Sequence, residues 1–158
     1  MANGIDVLRG ALEILVAKDR NLWPLNLFMS ALADGLRKSG QLEEALLTIN
    51  RAIERATDSG PIRDMAELLR IKAQILAAMP QYGRDSAMNC LTEAFAVAKT
   101  QSALALELRS TITQARLLAE GGQRDQARHD LALVYGRFTE GIETADLRIA
   151  RQLMEALA

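Results

Sequence analysis

Residues 39–56 read SGQLEEALLTINRAIERA, and this stretch, Ser39 to Ala56, decides the fold class. Gly40 stands where a helix must stop and reverse, since glycine enters the left-handed region without a Cβ penalty. After it, Ala45, Ile49, Ala52, Ile53 and Ala56 fall at i, i+4, i+7, i+8 and i+11. That spacing is one stripe of a helix with about 3.6 residues per turn. Ala45 and Ala52 lack bulk, so another helix can approach closely there while Ile49 and Ile53 fill the space beside it.

The stripe recurs on both sides. Gly4, Leu8, Ala11, Leu12 and Leu15 carry it before the central copy. Ala87, Leu91, Ala94, Phe95 and Ala98 carry it after, and so do Ala127, Leu131, Val134, Tyr135 and Phe138. The anchors at 4, 45, 87 and 127 stand 41, 42 and 40 residues apart, a period that marks a helical-hairpin array. Between the copies, helices are expected over Trp23 to Lys38, from Pro61 to about Ala78, and up to Glu120, with prolines tolerated in first turns. Turns are expected at Asp19 to Asn21, at Asp58 to Pro61, at Met79 to Arg84, at Thr100 to Ser102, at Gly121 with Gly122, and at Thr139 to Glu143. The reading is one all-α domain over 1–158 with about eight helices in antiparallel hairpins, stacked as a right-handed superhelix without a sheet. Its parts are the second helix of a truncated repeat (1–20), three repeats (22–58, 61–100 and 102–140) and a capping helix (143–158). The last helix keeps Leu147, Ala150, Leu153, Met154 and Leu157 on one face and Asp146, Arg148, Arg151 and Glu155 on the other, as a solenoid end requires.

Composition limits the function classes. The chain has 158 residues, is 49% hydrophobic and carries a formal net charge of −1, enough for one substantial core and without a basic field to recruit nucleic acid or anionic lipid. The longest uncharged run, Asn21 to Ala33, is broken by Pro24 and is shorter than the roughly 20 apolar residues that span a bilayer. Cys90 is the single cysteine, which excludes an internal disulfide and fits a reducing, cytoplasmic setting.

Candidate chemistry is sparse. Asp125 and His129 share a helix face at i and i+4 with Asp130 adjacent, but His129 is the only histidine and no third metal ligand is marked. Glu43 and Glu44 occupy a first turn, where the helix dipole favours carboxylates. Gly121 and Gly122 could cradle an anion, yet Gly40 is their counterpart in a turn. Trp23, Tyr82, Tyr135, Phe28, Phe95 and Phe138 read as core or interface aromatics. No nucleophile, base and orienting acid are grouped. The expectation is a non-catalytic protein with no cofactor and no metal.

The repeats resemble the tetratricopeptide pattern. Gly40, Ala45, Ile49 and Ala52 stand at its turn glycine, small, bulky and second small positions, and Ala33 and Leu36 at the first-helix small and large ones. Ala115, Leu118, Gly122, Ala127 and Leu131 match in the third repeat. The second repeat departs, with a longer turn and Lys72 at a commonly apolar position, and the period exceeds the family's usual length of about 34. Ala66 to Leu76, Glu107 to Leu118 and Val134 to Leu157 further resemble the C-terminal helical-repeat region of bacterial multidomain signalling proteins. In those proteins a nucleotide-cyclase or winged-helix domain and an AAA-type ATPase module precede it. No GxxxxGK[ST] motif occurs here, so the resemblance implies sensing or scaffolding without the enzyme.

In the family the groove is lined by the first helix of each repeat. Carried onto this sequence, that implies Ser30, Asp34, Arg37 and Lys38, then Glu67, Arg70 and Gln74, then Arg109, Arg116 and Glu120. A mildly basic groove suits an acidic protein or peptide segment or a chain-terminal carboxylate. The alternative is an oligomerisation or regulatory domain that packs on itself or on parent domains. With no first helix ahead of it, the N-terminal stripe is expected to be uncovered, making Leu8, Leu12 and Leu15 a homodimer interface.

Overall fold

The computed structural model describes residues 2–17, 24–58 and 64–158, all of them helix or short connection, with no strand among the described residues. The helices are α1 (Ala2–Ala17), α2 (Pro24–Lys38), α3 (Leu42–Asp58), α4 (Met65–Ala78), α5 (Gly83–Thr100), α6 (Leu104–Glu120), α7 (Arg124–Tyr135) and α8 (Ala145–Ala156). The turn expected at Asp19 to Asn21, Trp23, and the break at Ser59, Gly60 and Pro61 lie outside the described residues.

From α1 to α8, each helix packs on the next. In addition α2 meets α4, α4 meets α6 and α6 meets α8, whereas α3, α5 and α7 do not approach one another at the backbone among the described residues. The even-numbered helices therefore form one layer in mutual contact, and the odd-numbered helices lie against it. The alanine stripes make the hairpins close. Ala45 and Ala52 of α3, Ala87, Ala94 and Ala98 of α5, and Ala127 of α7 are wholly buried, beside Ile49, Leu91 and Leu131. Two apolar clusters result, one from α1 to α5 and one from α6 to α8, with Met88 packed against both. Leu117 of α6 belongs to the first while Leu118 belongs to the second.

Three reversals share one hydrogen-bond pattern. At the end of α2 the Gln41 amide donates to the Leu36 carbonyl (2.9 Å) and the Gly40 amide to Arg37 (3.1 Å), and Gly40 has φ +81°. At the end of α6 Gln123 donates to Leu118 (2.9 Å) and Gly122 to Ala119 (3.0 Å), with Gly122 at φ +80°. At the end of α5 Ala103 donates to Ala98 (2.9 Å) and Ser102 to Lys99 (3.0 Å), with Ser102 itself at φ +52°. This six-to-one and five-to-two pairing satisfies the last helical carbonyls and needs one left-handed residue. Gly122 is thus the counterpart of Gly40. Gly121 differs in that it precedes the left-handed residue, with the flexible end of Arg84, which donates to the Leu117 carbonyl, lying over it.

Several elements differ from the sequence reading. The first stripe is offset: Ile5 is buried, Leu8 and Leu12 are half-buried against the first cluster, and Gly4 is exposed. Among the described residues the α1 backbone packs on α2, and α1 reaches α3 only through Arg9, which donates to both oxygens of Glu44 at 2.8 Å. Leu8 and Leu12 are therefore not the uncovered face, and the side chain of Leu15 lies outside the described residues. Among its described side chains, α1 exposes the large apolar Val7 (71%) and Ile14 (58%). α5 starts at Gly83, inside the expected turn, and α7 stops at Tyr135, so Phe138 packs on the second cluster from the turn beyond.

A paired substitution tests the shared cap. Nothing crowds Gly40, so Gly40→Ala meets only the left-handed strain and should cost about 1–2 kcal/mol. Ser102→Gly relieves the same strain against glycine's larger unfolded-state entropy and should stabilise by up to about 1 kcal/mol. Urea unfolding of both variants against wild type reads the two opposite signs.

Candidate functional site

Helices α4, α6 and α8 meet around an open cleft of about 230 Å³. Glu67, Arg70 and Gln74 reach it from α4 at i, i+3 and i+7, one face of one helix. From α6 come Arg109, Ile112, Thr113 and Arg116, with the same repeat of three and four, and α8 adds Asp146 and Ile149. The arrangement follows from the layer, because α4 and α6 bury most of their other faces in the clusters; on this side Ile112 and Thr113 are themselves buried, Glu67, Arg70 and Gln74 are partly exposed, and Arg109 and Arg116 are exposed.

The charges are already partly paired. Arg70 donates from Nε and Nη2 to the two oxygens of Glu67 (2.9 and 2.8 Å), a bidentate fork along α4. Arg109 Nε donates to Asp146 Oδ2 at 2.7 Å, and its Nη1 lies 3.8 Å from Glu67 Oε1, so one guanidinium ties α6 to both α8 and α4. The hydrogen bond to Asp146 raises the Arg109 pKa above its already high value; burial opposes this and the charge of Glu67 adds to it. Thr113 Oγ1 receives long hydrogen bonds from Arg70 Nη1 and Gln74 Nε2, each 3.4 Å, and donates to the Arg109 carbonyl (3.1 Å). Arg116 makes no ion pair among the described residues and is exposed. Three arginines against two carboxylates leave the lining with one net positive charge, concentrated at Arg116.

The cleft gathers Glu67, Arg70, Gln74, Arg109 and Arg116 from the expected groove, but not the rest of it. Glu120 is exposed at the end of α6, outside the lining. Ser30 is buried and turns its hydroxyl back to the Leu27 carbonyl at 2.8 Å. Asp34, Arg37 and Lys38 form a closed cluster along α2: Arg37 Nη2 donates to Asp34 Oδ1 (2.8 Å), and Lys38 Nζ lies 2.6 Å from Oδ2. Burial raises the Asp34 pKa, but hydrogen bonds from Lys38 and Arg37 together with their charges outweigh it and hold the carboxyl below its ordinary value. Ile112, Thr113, Asp146 and Ile149 were not expected in the site. The first two share the face of Arg109 and Arg116 and could have been found from helical phase. The α8 pair depends on how α8 docks.

The remaining candidates do not assemble. Asp125 and His129 are exposed on α7, and no group of three metal-ligating side chains is present among the described residues. Burial raises the pKa of the Cys90 thiol despite the opposing charge of Lys72, which keeps the thiol in its less nucleophilic protonated form. In the first turn of α6, Glu107 is buried and held by Arg137 from the turn after α7. No described helix is long and apolar enough to cross a membrane. Comparison with protein-family profiles, characterised proteins and solved structures finds no match for this chain.

The Asp34 cluster predicts a pH dependence. A carboxyl whose pKa is lower folded than unfolded adds stability above its unfolded value of about 3.9, and that stability is lost as pH falls through the folded value. Wild type should exceed Asp34→Asn in urea stability at pH 7, and the gap should close as the pH is lowered from about 4 through the folded pKa.

Proposed function

We propose that this chain is a tetratricopeptide-like helical-repeat module that captures a segment of a partner protein, without catalysis, in the cleft between α4, α6 and α8. The observation that carries this is the convergence of Arg109 and Arg116 on an open cleft whose lining also offers the exposed Ile149. Guanidinium groups beside apolar side chains suit an acidic segment containing aliphatic residues. The contacts α2 to α4, α4 to α6 and α6 to α8, without their odd-numbered equivalents, support a solenoid in which the even helices take the inner side. The resemblance to helical-repeat regions of bacterial signalling and transcription regulators supports a regulatory, cytoplasmic setting for such docking.

Selection from an unbiased displayed peptide library, followed by NMR mapping, tests the reading. Acidic peptides should perturb Arg109, Thr113 and Arg116, and Arg109→Gln with Arg116→Gln should weaken them about tenfold or more while the circular dichroism stays helical. Peptides that map elsewhere, or bind the double variant unchanged, would refute it.

The exposure of Val7 and Ile14, seven residues apart on one side of α1, favours a second reading in which the domain packs on a second copy or on parent domains. Under it, the protein should sediment as a concentration-dependent dimer, and Val7→Glu with Ile14→Glu should return it to monomer.

A further inference from the structure

Arg109 is the best-placed cation in the cleft and it is occupied. Its Nε is satisfied by Asp146 at 2.7 Å, and Glu67 stands 3.8 Å from Nη1. Glu67 is committed to Arg70 through both oxygens, so it cannot fully neutralise Arg109 as well. Asp146 arrives from the first turn of the last helix, and no other ion pair engages it among the described residues. Both members of the pair remain partly in water, with 44% and 30% of their side chains exposed, so separating them costs little by the standard of buried pairs. Beside them Arg116 has no carboxylate of its own among the described residues, and Ile149 lies in the cleft one helical turn along from Asp146.

We propose that Asp146 is an internal competitor: its carboxylate occupies Arg109 in place of an acidic ligand and sets the affinity threshold of the cleft. The proposal rests on the acidic-segment reading above. An incoming carboxylate meets Arg116 first, then exchanges with Asp146 on Arg109, while the exposed Ile149 receives an adjoining aliphatic side chain. Weakly anionic segments fail to displace Asp146, and segments with two or more carboxylates succeed. Specificity here comes from the repulsive element on α8 as much as from the arginines.

The probe is a labelled, end-blocked hexapeptide of alternating Glu and Leu, with the Gln-for-Glu peptide as neutral control, read by fluorescence anisotropy on the full chain. Asp146→Asn should tighten the acidic peptide roughly two- to fivefold, the upper part of the range set by a partly exposed ion pair, and leave the neutral peptide unchanged. Asp146→Glu should stay near wild type. In an Arg109→Gln background Asp146→Asn should change affinity less than about twofold, because the coupling runs through Arg109. A merely structural role for Asp146 would lower affinity for any ligand and would not depend on Arg109. Unchanged or weaker acidic binding by Asp146→Asn, an equal gain in both backgrounds, or no binding of the acidic probe by either form would overturn the proposal. Library peptides without acids that still map to Arg109 and Thr113 would remove the competitor and the acidic preference yet leave a peptide-binding groove. No peptide mapping to the cleft at all would remove the groove reading itself.

Discussion

Everything in this fold depends on positions where a methyl group is the largest side chain that fits. Ala33, Ala45, Ala52, Ala73, Ala87, Ala94, Ala98, Ala127 and Ala150 are wholly buried, and they sit in the helices that face one another. A small residue in each interface lets two helical backbones approach, and the bulky neighbours Leu36, Ile49, Ile75, Leu91 and Leu131 then fill the flanks. Enlarging any of these alanines would push a hairpin apart, because packed interiors have no slack for added methylenes. Close hairpins in turn bring the even-numbered helices into contact with one another, and it is this layer that holds α4, α6 and α8 around one cleft.

Helix α6 bears the heaviest demand. It touches α4, α5, α7 and α8, so apart from a strip through Ala105, Arg109 and Arg116 most of its circumference is covered, and a helix so widely covered would ordinarily be largely apolar. Instead it buries Glu107, Ser110, Thr111 and Thr113. Thr111 and Thr113 return their hydroxyls to carbonyls one turn back, Glu107 and Arg109, at 2.8 and 3.1 Å. Glu107 is held by Arg137, while the Ser110 hydroxyl has no partner among the described residues. Burying these groups weakens the packing of α6 against its neighbours relative to an apolar helix, since even a satisfied buried hydroxyl contributes less than the hydrocarbon it replaces. One of them, Thr113, has a visible use, because it presents its oxygen to Arg70 and Gln74 at the cleft wall.

The sequence was legible where structure is local. The alanine stripes of α3, α5 and α7, the reversal at Gly40 and the grouping of Glu67, Arg70 and Gln74 on one face follow from helical period and turn chemistry alone. It was illegible where tertiary contact overrides the local rule. Ser102 adopts a glycine conformation because the helices on either side require the same cap as at Gly40, and no serine advertises that. The Arg84 guanidinium of α5 reaches the Leu117 carbonyl at the end of α6, a partner that no local pattern marks. Ile5 replaces Gly4 in the core because the α1 backbone packs on α2, with only the Arg9–Glu44 ion pair reaching α3, a fact about its surroundings that no periodicity encodes.

The same distinction explains why the expected groove divides. Asp34 lies three and four residues before Arg37 and Lys38, so the α2 cations find their counter-charge one turn away and the cluster closes on itself. On α6 the residue four before Arg109 is Ala105 and the residue three before it is Leu106, so no carboxylate of its own helix lies a turn behind it. Its partners must come from other helices, and they do, from Asp146 on α8 and Glu67 on α4. A charge neutralised within its own helix is indifferent to what docks beside it. A charge shared between helices depends on how those helices sit, and any ligand that competes for it acts on the contact between α4, α6 and α8 as well as on the arginine.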